Sequence, residues 1–185
     1  MELGSLNALS YGVLWHYTIS HGGFMKKQKG FSLIELLIVV AIILIIAAIA
    51  IPNLMRSKMA ANESSAVGSL RTINTAEVTY NTNYPTIGFT GTLTQLGGAP
   101  ATCATATGAT STTACLIDDF LAQGTKSGYN FAVGGTSGTP AVTYTSSATP
   151  VAPGQSGQRY FCSDQSGVIY FNLAAVCTSA NGTPL

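Results

Sequence analysis

The chain has 185 residues, a formal net charge of +1 at neutral pH and only 8% charged residues, against about 25% in an ordinary soluble domain. This balance excludes a nucleic-acid binder that works by bulk positive charge and a disordered polyelectrolyte. Two histidines and seven acids leave little material for metal or acid–base catalysis. The composition points to a membrane-anchored, exported protein.

Residues 1–24 show no clear period, and Met25 opens a short basic segment with Lys26, Lys27 and Lys29. Residues 1–24 therefore read as an upstream extension of the start site, an unusually long leader being the alternative. Residues 31–51, FSLIELLIVVAIILIIAAIAI, hold fifteen Leu, Ile, Val or Phe and one charge, Glu35. As a helix this block rises about 31 Å, the thickness of a bilayer core. Its large apolar side chains favour insertion by about 5–9 kcal/mol. A buried core helix is the competing reading, but one apolar on all sides needs a larger protein around it than the rest of this chain provides. The cations before the block favour a cytoplasmic N-terminus and an exported body, although Arg56 and Lys58 on the other side make the asymmetry modest. Ordinary signal cleavage near Ala47–Ala50 is the alternative, but the apolar run is longer than such signals carry.

The run KKQKGFSLIELLIVVAIILIIAAIAIP resembles the N-terminus of type IV prepilins and of the pseudopilins of type II secretion. The resemblance rests on a short basic leader ending at Gly30, then Phe31, then Ser32-Leu33-Ile34, then Glu35, then a long apolar helix with Pro52 near its end. It is close over about residues 25–60 and one of layout beyond. It implies a type IV pilin-like α+β fold, with one long N-terminal helix packed against a small antiparallel sheet. It also implies removal of residues 25–30 by a membrane-embedded prepilin peptidase that cuts between Gly30 and Phe31 and methylates the new Phe31 amine. A glycine before the cut lets the chain enter a protease site extended. The cut lies ahead of the apolar block, so the anchor stays on the mature chain. His16 and His21 leave with the leader.

Glu35 is the sharpest site. An ionisable group in hydrocarbon calls for a partner, and cleavage creates one in the Phe31 amine. The pair forms within one helix or between staggered copies, where it would set the register of assembly. Snorkelling of Glu35 to the interface is the plain alternative. Pro52 removes the hydrogen bond to the Ala48 carbonyl and predicts a kink or local melting. Beyond it Met55, Met59, Ala66, Leu70 and Ile73 fall on one helical face, with Arg56, Lys58, Glu63, Arg71 and Glu77 mostly off it. The helix is expected from Phe31 to Tyr80: residues 31–51 for membrane or filament core, and residues 52–80 as an amphipathic half that carries a head over residues 81–185.

In the head, residues 80–100 read as a loop over the helix, and a Thr/Ala-rich stretch runs between Cys103 and Cys115. Leu116, Ile117, Phe120 and Leu121 predict a short amphipathic helix ended by Gly124. The runs with Tyr129, Phe131 and Val133, with Val142 and Tyr144, with residues 160–162, and with residues 168–171 predict three or four antiparallel strands. Cys103, Cys115, Cys162 and Cys177 allow three pairings. Sequence order favours 103–115 and 162–177; zinc would want tighter spacing. By the resemblance, a 162–177 bridge would staple the last strands. Asp118, Asp119 and Asp164 are too scattered for a strong calcium site. Asn62-Glu63-Ser64 and Asn181-Gly182-Thr183 fit the glycosylation sequon.

No catalytic motif, nucleotide site, metal site or cofactor site is expected. The expected function is that of a structural type IV pilus subunit. Its expected partners are further copies in a helical filament, the prepilin peptidase, the inner-membrane assembly machinery and, before assembly, membrane lipid. A type II secretion pseudopilin is the first alternative. A non-polymerising single-span protein with an adhesive head is the second.

Overall fold

A computed structural model describes residues 30–98, 103, 109–173 and 176–185. The upstream extension, the leader apart from Gly30, and residues 104–108 of the Thr/Ala stretch lie outside the described residues. The chain divides into two compact units, residues 1–42 and 43–185.

In the first unit, Gly30 to Ser32 are non-helical and α1 (Leu33–Asn83) begins directly after them. The Leu36 N–H donates to the Ser32 carbonyl at 3.1 Å. Serine is favoured where a helix opens, because its hydroxyl oxygen is placed to accept from an unsatisfied first-turn N–H. Glu35 lies in that first turn, where unsatisfied N–H groups favour an acid. Every described residue of this unit is exposed.

In the second unit α1 runs unbroken through Pro52, so the local melting allowed by the sequence does not occur. Proline deletes one hydrogen bond, and good helix formers flank it on both sides. The helix also passes the expected Tyr80 and ends at Asn83. The Tyr84 N–H reaches back to the Tyr80 carbonyl at 2.8 Å, closing the last turn. Ala66, Leu70, Ile73 and Tyr80 are fully buried, and they form one core with Tyr129, Phe131, Ala148, Phe161 and Ile169 of the sheet. The expected start of this face is corrected: Met55 is 46% exposed, because the head encloses α1 only from about Met59 onward.

The sheet is an antiparallel meander in sequence order: β1 (Thr125–Lys126), β2 (Tyr129–Ser137), β3 (Thr143–Pro150), β4 (Tyr160–Asp164), β5 (Ile169–Asn172) and β6 (Thr183–Pro184). Six strands stand where three or four were expected. The added β1 and β6 are two-residue edge strands, too short to show any alternation in sequence. The long strands alternate as a half-buried sheet should. Tyr129 and Phe131 point inward from β2, and Tyr144, Ser146 and Ala148 from β3. Val142 does not share that face; it precedes β3 and is 65% exposed.

Among the described residues, the single-turn helices α2 (Leu93–Leu96) and α3 (Asp119–Ala122) lie between α1 and the sheet in sequence. The expected helix over residues 116–121 contracts to α3. The Ala114 and Leu116 N–H groups donate to the Gln95 and Leu96 carbonyls, both at 2.7 Å, so this stretch is spent on α2. Leu121 is buried, Phe120 is exposed, and Gly124 ends the turn at φ +80°.

Candidate functional site

The N-terminal segment is the first candidate site. A Cβ placed on Gly30 would meet nothing within 4 Å, so no packing contact of the fold demands glycine there. Phe31 is exposed, and among the described residues Glu35 has no ion pair. All fifteen Phe, Leu, Ile and Val side chains from Phe31 to Ile51 are exposed. The segment is long and apolar enough to cross a membrane. A helix surface apolar on every side has to be covered by lipid or by other apolar helices.

The head is fastened to α1 by groups the sequence face analysis placed off the packed stripe. Glu63 and Glu77 are buried. Glu63 Oε1 accepts from the Gln158 N–H (2.9 Å) and the Arg159 N–H (3.3 Å), and its Oε2 accepts from Arg159 Nε at 2.7 Å. Burial alone would raise the Glu63 pKa; these hydrogen bonds and the guanidinium charge outweigh it and hold the carboxyl below its usual range. Arg159 in turn lies over the rings of Phe161 and Phe171, at 5.7 and 5.5 Å.

Glu77 is fully buried with no cation partner among the described residues. Its carboxylate accepts from the Thr90 N–H (2.9 Å) and hydroxyl (2.8 Å), clasping the loop after α1 to the helix. Burial dominates here and raises its pKa, with Thr90 offsetting only part. Burial and then the Glu77 charge also push the Tyr144 hydroxyl up. Between the two acids, Asn74 Nδ2 donates to the Ser163 hydroxyl (2.7 Å), and the Tyr144 hydroxyl donates to Asn74 Oδ1 (3.0 Å). One signal would have located both acids. Residues 63, 66, 70, 73, 77 and 80 advance in alternating steps of three and four, so Glu63 and Glu77 sit on the apolar stripe itself.

The structure pairs Cys103 with Cys115 and Cys162 with Cys177, with Cα separations of 5.6 and 5.5 Å. The second bridge ties β4 to the segment before β6. The three head aspartates are not brought together. Asp118 caps α3 through the Leu121 N–H (3.0 Å) and pairs with Lys126 (2.8 Å). Asp119 accepts from Gln123 at 3.1 Å, and Asp164 accepts from the Ser166 N–H at 2.9 Å across the β4–β5 turn. Burial would raise Asp118 and Asp164, but hydrogen bonds, from Lys126 to the first and from Ser166 to the second, win and lower both. Among the described residues no three His, Cys, Asp or Glu side chains gather at one point. Asn62 of the first sequon is committed to the Ser156 carbonyl at 2.8 Å.

A long helix, apolar and uncovered at its start and packed on an antiparallel meander further along, is the α+β arrangement of type IV pilin-like proteins. The prokaryotic N-terminal methylation motif matches residues 25–51. The chain is 46% identical over 57 residues to the type IV major pilin protein PilA of Myxococcus xanthus, covering 31% of this chain and 26% of that protein. It is 58% identical over 40 residues to the type IV wide pilus major component PilA4 of Thermus thermophilus, covering 22% and 30%. It is 38% identical over 63 residues to the type II secretion system core protein G of Escherichia coli, covering 32% and 43%. On this segment the chain is similar to type IV pilins and to a type II secretion core protein. It matches less than half the length of these curated relatives. No solved structure matches it.

Proposed function

We propose that this chain is a structural, non-enzymatic subunit of a type IV pilus. A prepilin peptidase cuts between Gly30 and Phe31 and methylates the Phe31 amine. The mature subunit stands in the inner membrane on residues 31–51, its N-terminus cytoplasmic and its head exported, until the assembly machinery moves it into an extracellular helical filament. Residues 52–80 carry the head, and any bend α1 takes on entering the filament falls at Pro52. In the filament each apolar helix exchanges lipid for neighbouring helices. The Phe31 amine of one copy is matched to Glu35 of the next, because an unpaired charge in that low-dielectric core is strongly penalised. Contacts that repeat without closing produce a fibre.

The observation that carries this reading is the fifteen-residue exposed apolar surface directly behind the Gly30–Phe31–Glu35 motif. Mass spectrometry of the mature N-terminus, with electron microscopy of the same material, tests it. The expected result is a chain that starts at methylated Phe31 and is found in fibres. Glu35→Ala should be inserted and cut normally but yield few fibres. A native chain that starts at Met1, at Met25 or well past Ile51 refutes the reading.

A pseudopilin of type II secretion is the second reading. The match to core protein G favours it, since that match covers a larger share of the relative than the pilin matches do. A secretion defect without surface fibres on deletion would establish it.

A further inference from the structure

Phe120 is 70% exposed, whereas Phe89, Phe131, Phe161 and Phe171 of the head are buried or half-buried. It is presented on a fixed backbone. Its neighbours Leu121 and Ala122 are buried in the core, and the Asp118 carboxylate caps the turn at the Leu121 N–H. Beside it, Asp119 accepts from Gln123 through Oδ2, and its Oδ1 has no hydrogen bond among the described residues. The other described acids of the second unit are committed. Asp118 pairs with Lys126, Asp164 is held in its own turn by Ser166, and Glu63 and Glu77 are buried. Phe120 and Asp119 therefore make an aromatic knob with a free carboxylate oxygen.

A cavity of about 610 Å³ lies between α1 and β4, lined by Val67, Gly68, Arg71, Arg159, Phe161 and Leu185 among others. That is within the range of about 300–1,000 Å³ that takes ring-sized groups. A Cβ on Gly68 would meet nothing within 4 Å, so the helix side of the cavity is open there. Glu63 is the one acidic side chain in the lining, and the Arg159 guanidinium answers its charge through Nε. The Nη groups of Arg159 have no hydrogen bond among the described residues, and the exposed Arg71 has no ion pair there. The cavity thus combines apolar walls with an unmatched positive charge.

Knob and cavity flank opposite margins of the sheet. The Asp118–Lys126 pair ties α3 to β1. The cavity is bounded by Leu185, which follows β6 and donates its N–H to the Ile169 carbonyl of β5. We propose that Phe120 and Asp119 of one copy dock in this cavity of the next copy. Phe120 packs against Val67 and Phe161 with the Arg71 guanidinium over its ring, and Asp119 Oδ1 accepts from Arg71. Two different surfaces meet, so the contact is head-to-tail, does not close on itself and repeats along a fibre. The interface deepens the filament reading above and rests on it.

The test uses the full chain in cells that process and assemble it. A photoreactive benzophenone side chain at position 120 should, on illumination, join two copies, with the bond mapped to residues 60–71 or 159–161 of the second. Cross-links confined to one chain, or made only to another protein, overturn the interface. Gly68→Leu puts a better helix former into α1 while filling the cavity. Its unfolding midpoint should hold or rise, yet its fibre yield should fall at least about fivefold, the loss typical of an excluded interface anchor. Wild-type fibre yield from Gly68→Leu overturns the interface. Asp119→Arg and Arg71→Asp should each lower the yield and together restore it; a double variant no better than either single one overturns the charge pairing. A wild-type subunit that is cut at Phe31 but never found in fibres overturns the filament reading and the interface with it, whereas fibres indifferent to all these variants overturn the interface alone.

Discussion

Removing the Glu63 carboxylate should loosen the β3–β4 end of the head from α1. Glu63→Ala deletes the acceptor of three hydrogen bonds, one of them charge-assisted from Arg159. Stripping one partner from a fully buried ion pair costs about 3–5 kcal/mol. The Arg159 side chain is 38% exposed, so water recovers part of that. The Gln158 and Arg159 N–H groups lose a partly buried acceptor, which adds to the cost. We expect a loss of about 2–4 kcal/mol for Glu63→Ala, and about 1–2 kcal/mol for Glu63→Gln, which keeps one acceptor oxygen but turns an amide N–H toward Arg159 Nε. A double-mutant cycle with Arg159→Ala should return a coupling of about 1–2 kcal/mol. The assay is urea unfolding of the full chain in detergent, followed by near-ultraviolet circular dichroism. The folded-state pKa of Glu63 is depressed. Its contribution is therefore present above the ordinary carboxylate range and is lost as pH falls through the lowered value. The gap between wild type and Glu63→Ala should narrow on acidification. A Glu63→Ala midpoint within about 0.5 kcal/mol of wild type at neutral pH would refute the clamp.

Glu77 has the opposite sign. Its pKa is raised by burial, so its contribution is full below the ordinary value near 4.5 and declines as pH rises through the raised one. Glu77→Gln should gain stability relative to wild type as pH rises from the ordinary value near 4.5 through the raised one, as measured by urea midpoints at acidic and neutral pH; a pH-independent difference contradicts this. Replacing Cys162 and Cys177 by serine opens a loop with a sequence separation of 15 and should cost about 3 kcal/mol, read as a lower melting temperature than the reduced-minus-oxidised difference of the other bridge alone explains. Gly157→Ala would drive a Cβ into the Tyr129 ring and hydroxyl, displacing the hydroxyl from the Arg159 carbonyl it holds at 2.9 Å. We expect about 1–3 kcal/mol of destabilisation, with unchanged Tyr129 spectroscopy as the contrary result.

The first part of α1 was legible because its signal is local. Fifteen large apolar residues around a lone Glu35 need no tertiary partner to be read as a membrane-length helix. The packed stripe of α1 was legible only at its aliphatic members. Ala66, Leu70 and Ile73 mark the stripe by their apolar character, whereas charge disguises Glu63 and Glu77, although their spacing is that of the same stripe. Their burial depends on Arg159 and Thr90, which are 96 and 13 residues away in sequence, and no local pattern encodes such partners. The turn-to-strand boundaries failed for a similar reason. Leu116 reads as helix until its N–H is seen to serve Leu96. Edge strands of two residues carry no period to detect.

Those short margins have a bearing on how copies meet. Thr183–Pro184 margins one side of the sheet, whereas on the other Thr125–Lys126 pairs only with Asn130 and Tyr129 and, among the described residues, leaves the later part of β2 without a strand beside it. The lysine brings charge, and the proline lacks a donor. In the fibre proposed above, heads that meet at the Thr183–Pro184 margin would come apart subunit by subunit without tearing a shared β-ladder, while the uncovered stretch of β2 is where a neighbouring strand would pair.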